Sequence, residues 1–538
     1  MNGIELISIL LVLTVIFVAL GRRGNVPYPV VLVLGGLVLG FVPYVPHIRI
    51  SPETALGLFL PPLLYWEAVA APTQAMRRNA SWLVSLAVGL VFVTAWAVGL
   101  AIHALIGGDL AIALVLGAIL APTDAVAPTA IAERLGVPRS IVSIVQGESL
   151  LNDAAALALY GAALAAVTRG TMVPGVAILH FALAAAGALL IGLAVGWIAT
   201  QAWKRIDDPE LESLVSIVLP FAAYIPATRL GFSGVLAVVS AGLYVNAYIP
   251  VVMSPIARLR SYGYWETLVF VTNAVVFIFV GLELRDALVT VRSYQLLTIV
   301  GVIVAANVAV VGVRFAWVFL TEKLFEAVPA LRASRIGRKE QVVVAWSGLR
   351  GGVSLAIALS IPAALPGGEP FPFRHLIILI TFSVILCTLL GGGMTLPWLI
   401  RKLAMGGAAN EDEEDERVAL AAMANAALAR LATLEARGLV DPEQAIQLRA
   451  RYEEHKERAR DRSGDRRRIA LRRSAAEHAV FEAERRILVD LRRNGRIDNG
   501  VLRTLQLSVD LTEAGGLISR GLPTETAPLR LPEARGEP

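Results

Sequence analysis

Residues 147–153 read Gly147-Glu148-Ser149-Leu150-Leu151-Asn152-Asp153, two acids set in an otherwise apolar run between Ile141-Val142 and Ala154-Ala155-Ala156-Leu157. An acid at membrane depth is costly and by default marks a functional site. On a helix Ser149 and Asp153 are four residues apart and share one face, and Glu148 and Asn152 share the next. One face therefore offers a hydroxyl and a carboxylate, the other a carboxylate and an amide. Oxygen-only ligands of this kind suit a small hard cation rather than a transition metal.

Working outward, the chain has 538 residues, 56% of them hydrophobic. Residues 1–409 hold 25 Lys/Arg and 19 Asp/Glu, whereas residues 410–538 hold 23 and 24. The first part reads as a bilayer domain and the second as a highly charged tail. The excess of basic residues sits in short loops between apolar runs, as the positive-inside rule requires, and is not a nucleic-acid footprint. The single cysteine, Cys387, lies in an apolar run, so neither a disulfide framework nor a thiol metal site is expected. Leu6–Leu20 lacks a basic n-region and a small-residue cleavage site, and it is read as a first transmembrane helix rather than a signal peptide.

With about 20 apolar residues as the unit, thirteen spans are expected. They lie at 4–20, 28–45, 52–71, 80–106, 110–132, 140–167, 172–202, 211–228, 232–249, 261–283, 294–321, 340–363 and 374–403. Alternate loops carry seventeen and six basic residues, from Arg22 and Arg23 in the rich set to Arg49 and Arg169 in the poor one. This asymmetry places the N-terminus outside and the tail in the cytoplasm. The fifth span contains Ala121-Pro122-Thr123-Asp124-Ala125 and the twelfth Ser347-Gly348-Leu349-Arg350-Gly351-Gly352. Proline and clustered glycines break helices, and a matched pair of broken spans points to a transporter's binding site. Spans 4–6 and 11–13 are then the matching triplets, with the symmetry inferred from position alone.

Besides Glu148 and Asp153, the ionisable residues deep in spans are Glu67, Asp124, Arg314 and Arg350. A buried acid needs a partner, so Glu148 is read as the structural mate of one of the two arginines. Asp153, with the oxygens of Ser149 and Asn152 near it, is read as the transport carboxylate. Glu67 is read as facing the site. Thr123 and Asp124 sit in the break of span 5, where Asp124 either ligates the cation or only neutralises half-helix ends. The glycines 391–393 lack a following lysine and helix start suited to phosphate, so they are read as helix packing. No enzyme signature and no cofactor motif appears. The tail opens with Glu411-Asp412-Glu413-Glu414-Asp415-Glu416, continues through helix-forming stretches over Val418–Leu434 and Arg466–Leu488, and ends in a Pro-rich tip.

Gly147–Asp153 with Tyr160 resembles the sixth helix of the sodium/proton exchanger family of cation/proton antiporters, and the wording is closest to the bacterial branch. The resemblance extends to Ala121–Ala127, Ser233–Val238, Gly348–Leu355, Phe59–Leu64 and Phe279–Leu284, covering residues 1–403 in order. It implies an all-α membrane fold with inverted repeats and two broken crossing helices, 5 and 12. It further implies a dimerisation part of helices 1–3 and 8–10, a core part of helices 4–6 and 11–13, and a homodimer. By position the Asn-Asp pair is Asn152-Asp153, with Asp153 the acid that binds ion and proton. Thr123, Asp124, Ser149 and Glu67 are the further ligands that the resemblance implies, Asn152 is expected to join them at the cation, and the structural ion pair is Glu148–Arg314, with Arg350 near the break of helix 12. Many members have Asp-Pro in helix 5 where this chain has Asp124-Ala125, with the proline at Pro122.

The expected activity is electroneutral exchange of intracellular Na+, Li+ or K+ for external H+ at one aspartate in the plasma membrane. Asn152, where a second acid could stand, implies a single exchangeable charge. Two other readings use the same residues: an uncoupled cation channel, and a membrane scaffold carrying a sensing tail of unknown ligand. Conductive current marks the first, and exchange lost with residues 410–538 marks the second.

Overall fold

The computed structural model describes residues 3–24, 28–42, 52–169, 174–290, 295–365, 367–405, 409–460, 465–494 and 496–519. These are mainly helical, with no strand among the described residues beyond a lone bridge between Ala364 and Pro370. The chain forms two compact units, Met1–Ala409 and Asn410–Pro538.

The first unit opens with α1 (Gly3–Gly24), α2 (Tyr28–Gly40), α3 (Pro52–Ala70), the short α4 (Thr73–Arg78) and α5 (Ala80–Ile106). A first broken pair follows, α6 (Leu110–Leu120) and α7 (Val126–Arg134), and then the long α8 (Arg139–Arg169). Next come α9 (Pro174–Trp203), α10 (Pro209–Arg229), α11 (Gly234–Val252), α12 (Pro255–Thr290) and α13 (Leu296–Ala327). A second broken pair, α14 (Arg338–Trp346) and α15 (Gly352–Leu359), leads into α16 (Arg374–Lys402). Each broken pair is thus flanked by two long helices, α5 and α8 in one case and α13 and α16 in the other. The two triplets expected from the sequence have the same helix order. The short α4 was not expected.

Among the described residues nine helices are long and apolar enough to cross a membrane. Eight lie in the first unit. The ninth, Arg417–Ala436, lies in the second. Helix starts follow the sequence: Asp109 caps α6 through Ala111 N, Asp208 caps α10 through Glu210 N, and Ser233 caps α11 through Leu236 N.

Helices approach closely where glycine allows it. A Cβ on Gly36 would stand 2.3 Å from Ile278 O, and one on Gly281 2.2 Å from Val33 O, so α2 and α12 are in backbone contact there. One apolar core gathers α2, α6, α12, α13, α15 and α16, and another gathers α3, α9, α10, α11 and the start of α12. Asp153 lies between them on α8.

In the second unit the described helices are α17 (Ala409–Ala436), α18 (Pro442–Arg460), α19 (Asp465–Arg493) and α20 (Asn499–Ser519). The helices expected over Val418–Leu434 and Arg466–Leu488 fall within α17 and α19. Between α19 and α20, His478 Nδ1 meets Glu513 Oε1 at 2.5 Å, and Arg485 reaches both Asp510 and Glu513. The Pro-rich tip falls in residues 520–538, outside the described residues.

Candidate functional site

The site grows from the two breaks. In the first, Pro122 cannot donate a backbone hydrogen bond, and the chain is non-helical over residues 122–125. In the second, residues 348–351 are non-helical, and two glycines there make room for charged side chains. A Cβ on Gly348 would stand 2.2 Å from Arg314 Cδ, and one on Gly351 1.8 Å from Asp124 Oδ2. The breaks meet directly: Asp124 N donates to Leu349 O at 2.8 Å. Gly392 admits Leu349 to α16, since a Cβ there would stand 2.3 Å from Leu349 Cδ2. This accounts for one of the three glycines read as packing.

Broken helices leave orphan backbone groups and partial charges at four half-helix ends. Both deep arginines meet the negative ends. Arg350 Nε donates to Leu120 O at the end of α6 at 3.1 Å, and Arg314 donates to Val344 O and Ala345 O at the end of α14. The positive end of α7 is met by Asp124 Oδ1, which accepts from Val126 N at 2.8 Å, and by Ser149 Oγ, which accepts from Ala125 N at 3.3 Å.

Both deep arginines are open in the sequence as mates for Glu148, and in the structure Glu148 pairs with Arg314. Both are buried, and both guanidinium nitrogens Nη1 and Nη2 engage the two carboxylate oxygens. Arg350 spends its donors on the backbone, and its Nη2 has no hydrogen-bond partner among the described residues.

The two faces of α8 separate as their spacing predicts. Ser149 and Asp153 line a cavity together with Glu67, Thr123, Asp124, Asn273, Gly351, Gly352 and Ser354. Asp153 is 2% exposed, and none of the three carboxylates, Glu67, Asp124 and Asp153, makes an ion pair among the described residues. Glu148 and Asn152 take the other side. Asn152 Nδ2 donates to Thr123 Oγ1 at 2.8 Å, and Thr123 Oγ1 donates to Glu148 Oε1 at 3.0 Å. Asn152 is not among the residues lining the cavity; its amide holds Thr123, which is. Tyr160, about two turns beyond Asp153, receives a hydrogen bond from Ser360 Oγ at the end of α15, at 3.1 Å.

The residues not singled out from sequence are Asn273 and Ser354. Each is one small polar group in an apolar stretch, and a lone amide in mid-span is the signal that points to Asn273.

Over residues 8–402 the chain matches the family model described as sodium/hydrogen exchanger, transmembrane. An uncharacterised Na+/H+ exchanger of Mycobacterium tuberculosis is 35% identical over 526 residues, spanning 95% of this chain and 96% of the relative. The uncharacterised Na+/H+ exchanger YjcE of Escherichia coli is 32% identical over 525 residues, spanning 91% of this chain and 94% of the relative. Both matches are longer than the first unit and so include part of the second. The sodium proton antiporter MjNhaP1 from Methanocaldococcus jannaschii has a similar fold, with a TM-score of 0.59 at 21% identity over 74% of this chain and 98% of that one.

Proposed function

The chain belongs to the sodium/hydrogen exchanger family, a family of multi-pass membrane antiporters, and from that premise we propose that it carries Na+ out of the cell against external H+, one for one, at Asp153. The observation that carries this reading is Asp153 itself, a buried carboxylate with no ion-pair partner among the described residues, on a cavity where two broken spans cross. A carboxylate in such a place holds a proton or a cation, not both, and competition for it couples the two flows. An uncompensated charge in the bilayer is costly, so the loaded, neutralised site is the one that crosses between the two sides.

In this reading Ser149, Thr123 and Glu67 supply further oxygens to the cation. Asp124 faces the same cavity while compensating the end of α7, which combines the two roles open to it in the sequence. Asn152 acts on the site through Thr123. Glu148 and Arg314 hold the α14 break against α8. Exchange is electroneutral because Asp153 alone changes its load.

The membrane part is residues 1–409 with thirteen crossings, α6–α7 and α14–α15 each counting as one. It sits in the plasma membrane with the N-terminus outside, and helices 1–3 and 8–10 join two copies as a homodimer. Residues 410–538 form a regulatory cytosolic domain.

Everted membrane vesicles with a ΔpH-sensitive dye test the reading. Added Na+ dissipates an imposed proton gradient, and the dissipation saturates and persists when the membrane potential is clamped at zero. A response that does not saturate and follows potential marks a channel and removes the exchanger reading. Running Li+ and K+ beside Na+ ranks the cations.

A further inference from the structure

Among the residues lining the cavity, Asn273 is the one that comes from α12, while the others come from α3, α8 and the two broken pairs α6–α7 and α14–α15. Thr272 beside it is its one polar neighbour within a turn. The positions one turn to either side are Val269, Phe270, Val276 and Phe277, and Ala274 beside it is fully buried. Asn273 Oδ1 lies 3.6 Å from where a Cβ on Gly352 would stand, and Val276 Cγ1 lies 3.8 Å from the same point, so this stripe of α12 packs on the first residue of α15. No protein group among the described residues takes up the carboxamide. The side chain is half-buried rather than sealed in the packing. Here it opens onto a cavity that also holds Glu67, Asp124, Ser149 and Asp153.

Resting on the exchanger reading above, we propose that Asn273 is a specificity-determining ligand: its side-chain oxygen completes the shell of the transported cation from the α12 side and so sets which monovalent cation the site accepts. A carboxamide oxygen is a neutral hard ligand, suited to a small monovalent ion beside a carboxylate that already neutralises it. Ion choice follows the number and field strength of such oxygens. Li+ is satisfied by fewer ligands than Na+, so removal of one neutral oxygen weighs more on Na+. A residue that only packs against α15 has no such preference between ions.

The test is exchange by purified full-length protein in proteoliposomes, with the concentration for half-maximal rate measured for Na+ and for Li+. Asn273→Ala raises the Na+ value by about tenfold, as expected for one lost contact to a charged group, while the Li+ value moves much less and the maximal rates stay near wild type. Asn273→Asp keeps the oxygen and the shape. It preserves Na+ affinity at high pH and makes that affinity fall more steeply as pH drops, because the new carboxyl also takes a proton. Should the alanine variant not fold, the aspartate variant decides alone, and a pH dependence identical to wild type overturns the proposal. Equal shifts for both ions, or a uniform loss of maximal rate with unchanged half-saturation, also overturn it. Absence of exchange in the wild type would instead defeat the exchanger reading.

Discussion

At the scale of single residues, the organising contact is the pair Glu148–Arg314. Removing one partner of a buried ion pair leaves an uncompensated charge and costs about 3–5 kcal/mol. Arg314→Ala is therefore expected to lower the thermal midpoint sharply and to cut expression. Replacing both residues with apolar side chains, Glu148→Leu with Arg314→Met, should recover much of the stability, although the α14 carbonyls then lose their donor. A scanning-fluorimetry series on the three proteins checks this, and a single variant as stable as wild type contradicts it. By depth and charge alone the two arginines were equivalent, and only the family resemblance pointed to Arg314. The choice depends on Gly348, whose missing side chain lets Arg314 reach the end of α14. Asn152 teaches the opposite lesson. It is expected among the cation's oxygens although its spacing puts it on the face of Glu148, and in the structure its amide donates to Thr123 while the residue stays out of the cavity lining.

At the scale of elements, the two breaks work as one unit because each supplies groups to the other. Arg350 from the second reaches Leu120 at the first, and Asp124 N from the first reaches Leu349 at the second. Gly351 is where this contact is tightest. A Cβ there would collide with Asp124, whereas one on Gly352 meets only ordinary contacts at 3.6 and 3.8 Å. Gly351→Ala should thus reduce exchange by about tenfold or more, the rate equivalent of about 1.4 kcal/mol, and Gly352→Ala should leave it within about twofold of wild type. Equal effects in a vesicle assay contradict the account. Pro122 and the glycines of residues 348–352 made both breaks legible in the sequence. Which side chains the glycines admit was not, since that depends on helices distant in the chain.

The α19–α20 contact gives a pH prediction of its own. Burial pushes the Glu513 carboxyl up, but hydrogen bonds from His478 and Arg485 and the charge of Arg485 outweigh it, so the group is held below its ordinary 4.5. A folded-state value below the unfolded one adds stability above that range, and the gain is lost as pH falls through it. Amides of α20 should therefore be less protected from hydrogen exchange at pH 4 than at pH 7. Glu513→Gln should remove this difference at a cost of about 1 kcal/mol at pH 7. Equal protection at both pH values in wild type contradicts the assignment.

At the scale of the whole molecule, the charge step near residue 410 coincides with the division between two compact units. A chain ending at residue 409 should keep saturable cation/proton exchange and lose its regulation, here meaning a changed pH profile. Loss of exchange with a properly folded membrane unit favours the scaffold reading. Length, hydropathy and the order of motifs made the helical membrane architecture legible. Asn273 was not, because one amide on an apolar helix becomes informative only once that helix is seen beside the breaks.

The most direct measurement is Na+-driven proton flux through Asp153→Asn in proteoliposomes, beside wild type and with the membrane potential clamped. Asparagine keeps the shape and the oxygen but cannot take up a proton in exchange for a cation. The account predicts that the variant folds with a thermal midpoint near that of wild type and carries no sodium-dependent proton flux, while wild type carries it without net charge movement. Sodium-dependent proton flux retained by Asp153→Asn contradicts the central claim.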